Sequence, residues 1–210
     1  MTRTFRQVLG ALAITAATMS CGDVVRDSRS PMILVIDHLL GANGASTSIT
    51  FTNPVFSDVI TIRTSPSPCS VTTPCPTIFA DPGQVTLHLD QKNIGTPTVP
   101  AAPTTNNEVI ITGYHVEYRR SDGRNTAGVD VPFAFDGGLT GTVTQTGAVT
   151  FSFELVRHVA KEESPLIQLQ LSPTIINVIA YVTFYGHDTV GNSVSVTGTI
   201  SIDFGNFGDS

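Results

Sequence analysis

The sequence predicts an all-β fold, an antiparallel sandwich whose strands are joined by long loops. The strongest observation is a pair of segments near the C-terminus in which every second residue is apolar, a period that belongs to strands. Shorter segments of the same kind recur upstream, separated by Gly, Asp and Pro. With 18 Gly, 13 Pro and only 13% charged residues, the composition favours an exported all-β protein over a helical cytosolic one.

The C-terminal segments predict a long antiparallel hairpin. One face of the first segment carries Val178, Ala180, Val182 and Phe184, and one face of the second carries Val194, Val196, Ile200, Ile202 and Phe204. Residues 186–192 between them are rich in Gly, Asp and Asn, which are turn residues. Because an isolated hairpin is marginally stable in water, the rest of the chain is expected to cover the apolar face with a second layer.

Four further strands are expected upstream, at residues 32–37, 46–51, 59–63 and 85–89. The tripeptide Asp81-Pro82-Gly83 predicts a tight turn ahead of the last of them. The Pro- and Thr-rich residues 95–107 predict a long loop rather than a linker between domains. The segments before it are too few to close a core by themselves.

The middle of the chain predicts more strands of the same kind. In residues 109–119, Tyr114, Val116 and Tyr118 share one face and are expected in the core. After a turn at residues 121–125, Val131, Phe133 and Phe135 continue the alternation up to Asp136-Gly137-Gly138, and residues 140–144 and 148–156 follow. Residues 157–164 are polar and are expected to form one helical turn or a loop.

The N-terminus has the features of a secretory leader. Arg3 and Arg6 precede an apolar run at residues 8–17, which is much shorter than the roughly 20 apolar residues that span a bilayer. Residues 1–20 are therefore predicted to be a signal peptide.

The end of this leader, Thr18-Met19-Ser20-Cys21, resembles the lipobox of bacterial lipoproteins. The resemblance implies cleavage before Cys21 and acylation of that cysteine, for example with palmitate. The alternative is ordinary signal cleavage nearby, which would leave Cys21 unmodified. Acylation implies that residues 21–31 are a lipid-anchored tether and that the protein is held in the bacterial cell envelope.

Cys69 and Cys75 lie in residues 65–76, a stretch dense in Pro, Ser and Thr that is expected to be exposed. In an exported protein, two cysteines this close favour a local disulfide bond. A metal site is disfavoured because no nearby His or further Cys completes a ligand set. We expect the bond to give a stapled surface loop, or to protect the loop from proteolysis.

Two segments carry a resemblance to known sandwich domains. Residues 111–123, ITGYHVEYRRSDG, resemble the third strand of a fibronectin type III domain. Residues 180–188 with Gly191-Asn192-Ser193 are similar to the last hairpin of such domains and of bacterial immunoglobulin-like modules. The resemblance implies a single immunoglobulin-like β-sandwich over residues 32–210, with a role in binding or spacing.

No catalytic or cofactor motif is found in the sequence. The histidines are scattered, at His38, His88, His115, His158 and His187, and no Gly-x-Ser-x-Gly motif is present. The loop carboxylates of Asp122, Asp136 and Asp188 are candidates for calcium, but turn chemistry explains them better. The cluster of Arg119, Arg120 and Arg124 is expected to form a solvated strand end. We therefore expect no catalytic residue, metal or cofactor.

The first functional hypothesis is a non-enzymatic cell-envelope lipoprotein that displays an immunoglobulin-like module for binding a protein or glycan, or for envelope structure. Its membrane contact is the lipid anchor. A formal net charge of −6 disfavours a nucleic-acid partner. The second hypothesis is a structural subunit that assembles by β-strand addition, with residues 32–37 as the donated strand. The third is a glycan-active envelope enzyme, which requires two carboxylates facing each other in a groove.

Overall fold

The computed structural model describes residues 29–44, 49–102, 104 and 107–208. Its first strands are β1 (Met32–Ala42), β2 (Phe51–Thr52), β3 (Val55–Asp58), β4 (Thr61–Arg63), β5 (Cys75–Thr77), β6 (Asp81–Gln91), β7 (Gly95–Thr96) and β8 (Val99–Pro100). The later strands are β9 (Val109–Arg119), β10 (Phe135–Val143), β11 (Val149–Val156), β12 (Ile176–Asp188) and β13 (Ser193–Gly205). The predicted all-β class is confirmed. The predicted leader at residues 1–20, Cys21 and most of the tether lie outside the described residues.

Two sheets contain most of these strands. The first sheet has the order β11-β6-β1-β2, with every neighbouring pair antiparallel. The second sheet has the order β10-β9-β12-β13-β3. Its last pair is parallel, with Ile202 opposite Val55, and this differs from the prediction of purely antiparallel sheets. The chain leaves the first sheet at β2 and enters the edge of the second at β3, where it runs in the direction of β13.

The predicted C-terminal hairpin is confirmed as β12 and β13, which pair continuously from Ile176 opposite Phe204 to His187 opposite Ser193. The apolar residues of its inner face are buried against the first sheet. Two tyrosines of β9 join the sheets across this core, as their alternation predicts. Tyr118 Oη donates to the carbonyl of Leu155 at 2.7 Å, and Tyr114 Oη accepts from the Glu154 amide at 3.1 Å.

Strands on either side of residues 95–107 pair within the same sheets. In the first sheet β6 lies between β1 and β11, and in the second sheet β3 lies beside β13. In the described residues between β6 and β9, the strands are those of the small ribbon of β7 and β8. Residues 32–37 belong to β1 and pair with β6 of their own chain, from Met32 opposite Gln91 onward.

One predicted turn and one predicted strand end are wrong, and a large ring explains each. Asp81-Pro82-Gly83 opens strand β6 and pairs with β11, because Gly83 leaves room for the Phe153 ring, which a β-carbon would approach to 2.5 Å. Gly137 lies within β10 rather than at the end of a strand, and the Tyr114 ring fills the space above it. In both strands the glycine is required because a side chain at its position would collide with the aromatic ring.

The other differences concern short segments. The strand predicted at residues 59–63 begins at Thr61, and the preceding strand β3 was not predicted. Of the strand predicted at residues 46–51, only Phe51 belongs to a strand, and residues 46–48 lie outside the described part. Phe133 is 50% exposed, although Val131 and Phe135, its predicted companions, are buried.

Residues 157–164, expected to form a helical turn or a loop, contain the short helix α1 (His158–Glu162). A 3-10 helix (Leu166–Leu171) follows and leads into β12. Neither of these helices, which are the helices of the described residues, has the length and apolar character that a membrane crossing requires.

Candidate functional site

A cleft of about 460 Å³ opens at one end of the two sheets. It lies between the end of β1, the ribbon of β4 and β5, the start of β6 and helix α1, and its floor includes Asp58, Asp81 and Lys161. None of these three residues was singled out from the sequence. They are charged residues inside the fold, which makes the cleft the strongest candidate for a functional site.

Lys161 is the centre of this floor and is only 1% exposed. Its Nζ donates to Asp81 Oδ1 at 2.7 Å and to the backbone carbonyl of Asp58 at 2.7 Å. Asp81 is 4% exposed, and its second oxygen, Oδ2, accepts a short hydrogen bond from the hydroxyl of Ser57. We call Ser57, Asp58, Asp81 and Lys161 the buried charge cluster.

The alternation that builds the core also places Asp81 and Ser57 inward. In β6 the buried face begins with Asp81 and continues through Gly83, Val85 and Leu87. In β3 both Ser57 and Asp58 are buried beside the core residue Val55. Asp81 therefore occupies a position that the strand period assigns to an apolar residue, and it is kept there by hydrogen bonds.

Burial is the main influence on Asp81. Removal from water raises the pKa of its carboxyl group, although Lys161 and the Ser57 hydroxyl act in the opposite direction. The carboxylate of Asp58 has a different environment. Its Oδ2 accepts from the hydroxyl of Thr61 at 3.1 Å, and its Oδ1 accepts from the backbone amide of Phe207 at 3.2 Å.

The rim of the cleft is formed in part by the ribbon that carries the predicted disulfide bond. Cys69 and Cys75 are bonded, with their Cα atoms 5.4 Å apart, and Arg63 lies opposite Cys75 in the ribbon. The Arg63 guanidinium stands 5.3 Å above the centre of the Phe79 ring. Ile62 and Phe79 are 40% and 44% exposed, so the rim offers a cation and apolar surface on a stapled support.

Both carboxyl groups on the floor of the cleft are held by contacts within the protein. The Asp81 carboxyl is held by Lys161 and Ser57, and the Asp58 carboxylate is held by Thr61 and Phe207. Within the described residues, no three His, Cys, Asp or Glu side chains come together as a metal site.

The loop carboxylates that were considered as calcium ligands are each engaged by other side chains or amides of the protein. Asp122 accepts from the guanidinium groups of Arg120 and Arg124, and these contacts hold the pKa of its carboxyl well below its usual range. Asp136 contacts His115 Nδ1 at 2.9 Å.

Asp188 is the last residue of β12, directly before the turn to β13, and has no exposed surface. Its Oδ1 accepts from the amides of Val190 at 3.1 Å and Asn192 at 2.8 Å, and its Oδ2 accepts from Asn192 Nδ2 at 2.9 Å. Burial alone would raise the pKa of this carboxyl, but the hydrogen bonds from Asn192, Ser30 and Val190 outweigh it, and the pKa lies below 3.8. The side chain caps its own turn.

Of the arginines predicted to form a solvated strand end, Arg119 and Arg124 have exposed side chains, whereas the side chain of Arg120 is only 17% exposed. Arg119 forms two hydrogen bonds with Glu117, and its guanidinium lies 4.8 Å from the centre of the Tyr181 ring. On the outer face of the first sheet, His88 lies between Asp37 at 2.7 Å and Asp90 at 3.6 Å. This group was not predicted from the sequence.

Two signals in the sequence point to the buried charge cluster. Asp81 continues the two-residue period of Val85, Leu87 and Leu89 back through Gly83, and Lys161 is one of only two lysines in the chain, with Lys92. Neither signal shows that Asp81 and Lys161 are in contact with each other.

Comparison with protein-family models, with curated proteins and with solved structures found no match to this chain. Its function is therefore inferred from its own side chains and sequence patterns.

Proposed function

We propose that this protein is a non-enzymatic lipoprotein of the bacterial cell envelope. In this proposal Cys21 carries the lipid anchor, residues 21–31 form a tether, and an immunoglobulin-like sandwich displays the cleft and its stapled ribbon to a protein or glycan partner. The observation that carries the binding role is the position of β4 at the rim of the cleft, where it pairs with β5, the strand that carries Cys75 of the disulfide bond.

The strand order supports the immunoglobulin-like assignment. Strands β1, β6 and β11 occupy one sheet and β9, β12 and β13 the other, as strands A, B, E and C, F, G do in immunoglobulin-like domains. In this correspondence β10 takes the place of an additional strand next to C. The chain has no Trp, so the tryptophan that packs in the core of many such domains is replaced here by Tyr114, Phe153 and Phe184, whose rings are in contact.

The rim of the cleft has the properties of a recognition surface. A disulfide bond restricts the conformations of the ribbon before binding, which lowers the entropy that association must remove. Arginine and aromatic side chains are the residues most often found at the energetic centres of interfaces. Arg63, Phe79 and Ile62 bring such groups together beside a concave surface.

Site-specific photocross-linking tests this binding role. A photoreactive amino acid replaces Ile62 at the rim, and in a control variant it replaces Val190, which is 72% exposed at the other end of β13. We expect a discrete cross-linked product in cells from position 62 and none from position 190. Equal products from both positions, or none from position 62, would contradict a binding role for the rim.

The lipid anchor is tested in the full chain expressed in bacteria. Cells are fed an alkyne analogue of palmitate, and detergent phase partitioning is measured for the wild type and Cys21→Ser. We expect label and detergent partitioning in the wild type, loss of both in Cys21→Ser, and retention of both in the control Cys69→Ser/Cys75→Ser. An unlabelled, water-soluble wild type would refute the anchor.

Self-assembly by strand addition is the second candidate. Among the described residues, β1 has no partner on its outer edge from Met32 to Leu40, because β2 pairs only with Gly41 and Ala42. Such an edge accepts a strand from a neighbouring molecule.

Light scattering after size exclusion distinguishes self-assembly by strand addition from a protein that acts as a monomeric binding module. A concentration-independent monomer refutes assembly, whereas large species that vanish when residues 32–37 are deleted support it.

The glycan-active enzyme is the weakest of the three hypotheses. The cleft does contain two carboxyl side chains, those of Asp58 and Asp81, but both are committed to contacts within the protein. This arrangement favours a role in holding the fold.

A further inference from the structure

The contact between Lys161 and Asp81 joins an amine to a carboxyl group deep in the fold. The two atoms Nζ and Oδ1 are 2.7 Å apart, and the side chains are 1% and 5% exposed. They come from helix α1 and from the first residue of β6, 80 positions apart in the sequence. Buried ion pairs are energetically costly, and similar stability is obtained from apolar side chains of the same volume. Stability alone therefore does not explain why the fold contains this buried pair.

We propose that Lys161 and Asp81 condense to form an intramolecular amide, an isopeptide cross-link between helix α1 and strand β6. The inference does not depend on the proposed binding function, since it concerns a bond within the chain.

The protein holds both reacting groups in position. The carbonyl of Asp58 accepts a hydrogen bond from Lys161 Nζ, and the Ser57 hydroxyl donates to Asp81 Oδ2, so neither group is free to turn away. Helix α1 is itself tied down by Gln170, whose Nε2 donates to the Lys161 carbonyl at 3.3 Å. Orientation of this kind replaces an encounter in solution and raises the effective concentration of the reactants by several orders of magnitude.

The environment favours the reactive protonation states. Amide formation requires a neutral amine and a neutral carboxylic acid, whereas an ion pair is unreactive. Burial raises the pKa of Asp81 and so favours its acid form. Transfer of a proton from the ammonium group of Lys161 to Asp81 removes two opposite charges from a poorly solvated site and generates both reactive forms together.

The reaction is balanced without a co-reactant. The Nζ lone pair attacks Asp81 Cγ, forming the C–N bond, and the bond from Cγ to Oδ1 breaks, because Oδ1 has received the Lys161 proton through their hydrogen bond. The leaving Oδ1 retains that proton and takes a second one from the attacking nitrogen, while Oδ2, which accepts from the Ser57 hydroxyl, remains as the amide oxygen. The products are a secondary amide and one water molecule, which can leave through the cleft that Asp81 and Lys161 line.

Mass spectrometry of the purified, denatured full chain tests the proposal. Trypsin does not cleave after an acylated lysine, and the chain has lysines only at positions 92 and 161. We expect a branched peptide joining residues 64–92 to residues 158–210, lighter by one water than the sum of its parts, and no release of the tetrapeptide 158–161.

Two variants make the test specific. Lys161→Arg keeps a cation but has no nucleophilic amine, so its mass should exceed that of the wild type by one water beyond the difference between the two residues. Lys92→Arg alters the other lysine and should keep the mass deficit. If Lys161→Arg does not fold, the wild-type digest alone decides. Release of tetrapeptide 158–161 from the wild type, with no branched peptide, would overturn the cross-link and leave an ordinary buried ion pair.

Discussion

Two buried aspartates, Asp81 in the first sheet and Asp188 in the second, are stabilised in different ways. Asp188 accepts hydrogen bonds from groups two and four residues further along the chain, with one more from Ser30. Asp81 accepts from Ser57, 24 residues away, and from Lys161, 80 residues away. A turn can satisfy the first carboxyl before the rest of the protein folds, whereas the second is satisfied only when three distant segments meet. Local sequence therefore accounts for most of the hydrogen bonds of Asp188, and the tertiary fold accounts for those of Asp81.

The largest expected effect follows from removing the distant partner. Lys161→Met leaves the Asp81 carboxyl and the Asp58 carbonyl buried without their donor, and we expect the free energy of unfolding to fall by on the order of 3–5 kcal/mol. Urea denaturation followed by circular dichroism measures the loss. The control Lys92→Met, at an exposed lysine that donates to the Ser30 carbonyl, should cost about 1 kcal/mol or less. Equal losses in both variants would show that the buried charge cluster contributes nothing special.

Removal of the local acceptor is expected to cost less. Asp188→Ala deprives the amides of Val190 and Asn192 of their partner, but the turn lies near the surface and water can reach part of it. We expect a loss of about 1–3 kcal/mol in the same urea experiment. Asp188→Asn, which keeps an acceptor oxygen, should lie between this variant and the wild type. A loss larger than that of Lys161→Met would contradict the distinction between the two sites.

Opening the stapled ribbon is expected to affect the global fold less than removing Lys161. The disulfide bond closes a short loop, for which the expected contribution is at most about 2 kcal/mol. In Cys69→Ser/Cys75→Ser we expect a small change in the urea midpoint and much faster proteolytic cleavage between residues 64 and 74. Unchanged cleavage would contradict the idea that the bond restrains this loop.

The smallest expected effect is a change in pH dependence. The pKa of Asp188 is lowered in the folded protein from 3.8, so its ionised form stabilises the fold above that pH. This stabilisation is lost as the pH falls below 3.8 and through the lowered pKa. Between about pH 6 and about pH 3, Asp188→Asn should therefore lose less stability than the wild type. An identical decrease in both proteins would refute the assigned direction. Asp81 is the same in both, so its contribution cancels.

The parts of the fold that could be predicted depend on short-range patterns. The hairpin of β12 and β13 follows from the alternation of Val178 to Phe184, and the burial of Tyr114 and Tyr118 follows from that of β9. Side chains of a strand point alternately to its two faces, so a few consecutive residues are enough to predict which side chains are buried. The disulfide bond between Cys69 and Cys75 was predictable for the same reason, since its partners are six positions apart.

Local patterns gave wrong predictions at two glycines, Gly83 and Gly137. Asp81-Pro82-Gly83 has the composition of a turn, yet Gly83 is in a strand because the Phe153 ring needs the space of its missing side chain. Gly137 has the same relation to Tyr114. Glycine is favoured both in a turn and where an aromatic ring packs closely against a strand. The two cases are distinguished only by the residue that contacts the glycine in the tertiary structure.

The sequence by itself determined the all-β class, the main hairpin, which tyrosines enter the core and which cysteines are close enough to bond. The tertiary structure alone decided the cleft and the buried charge cluster. Asp58, Asp81 and Lys161 would each be solvated if they stood alone, because burying a single charge costs more than any local pattern supplies. They are buried because the fold brings an amine, a carboxyl group, a hydroxyl group and a carbonyl within hydrogen-bonding distance of one another.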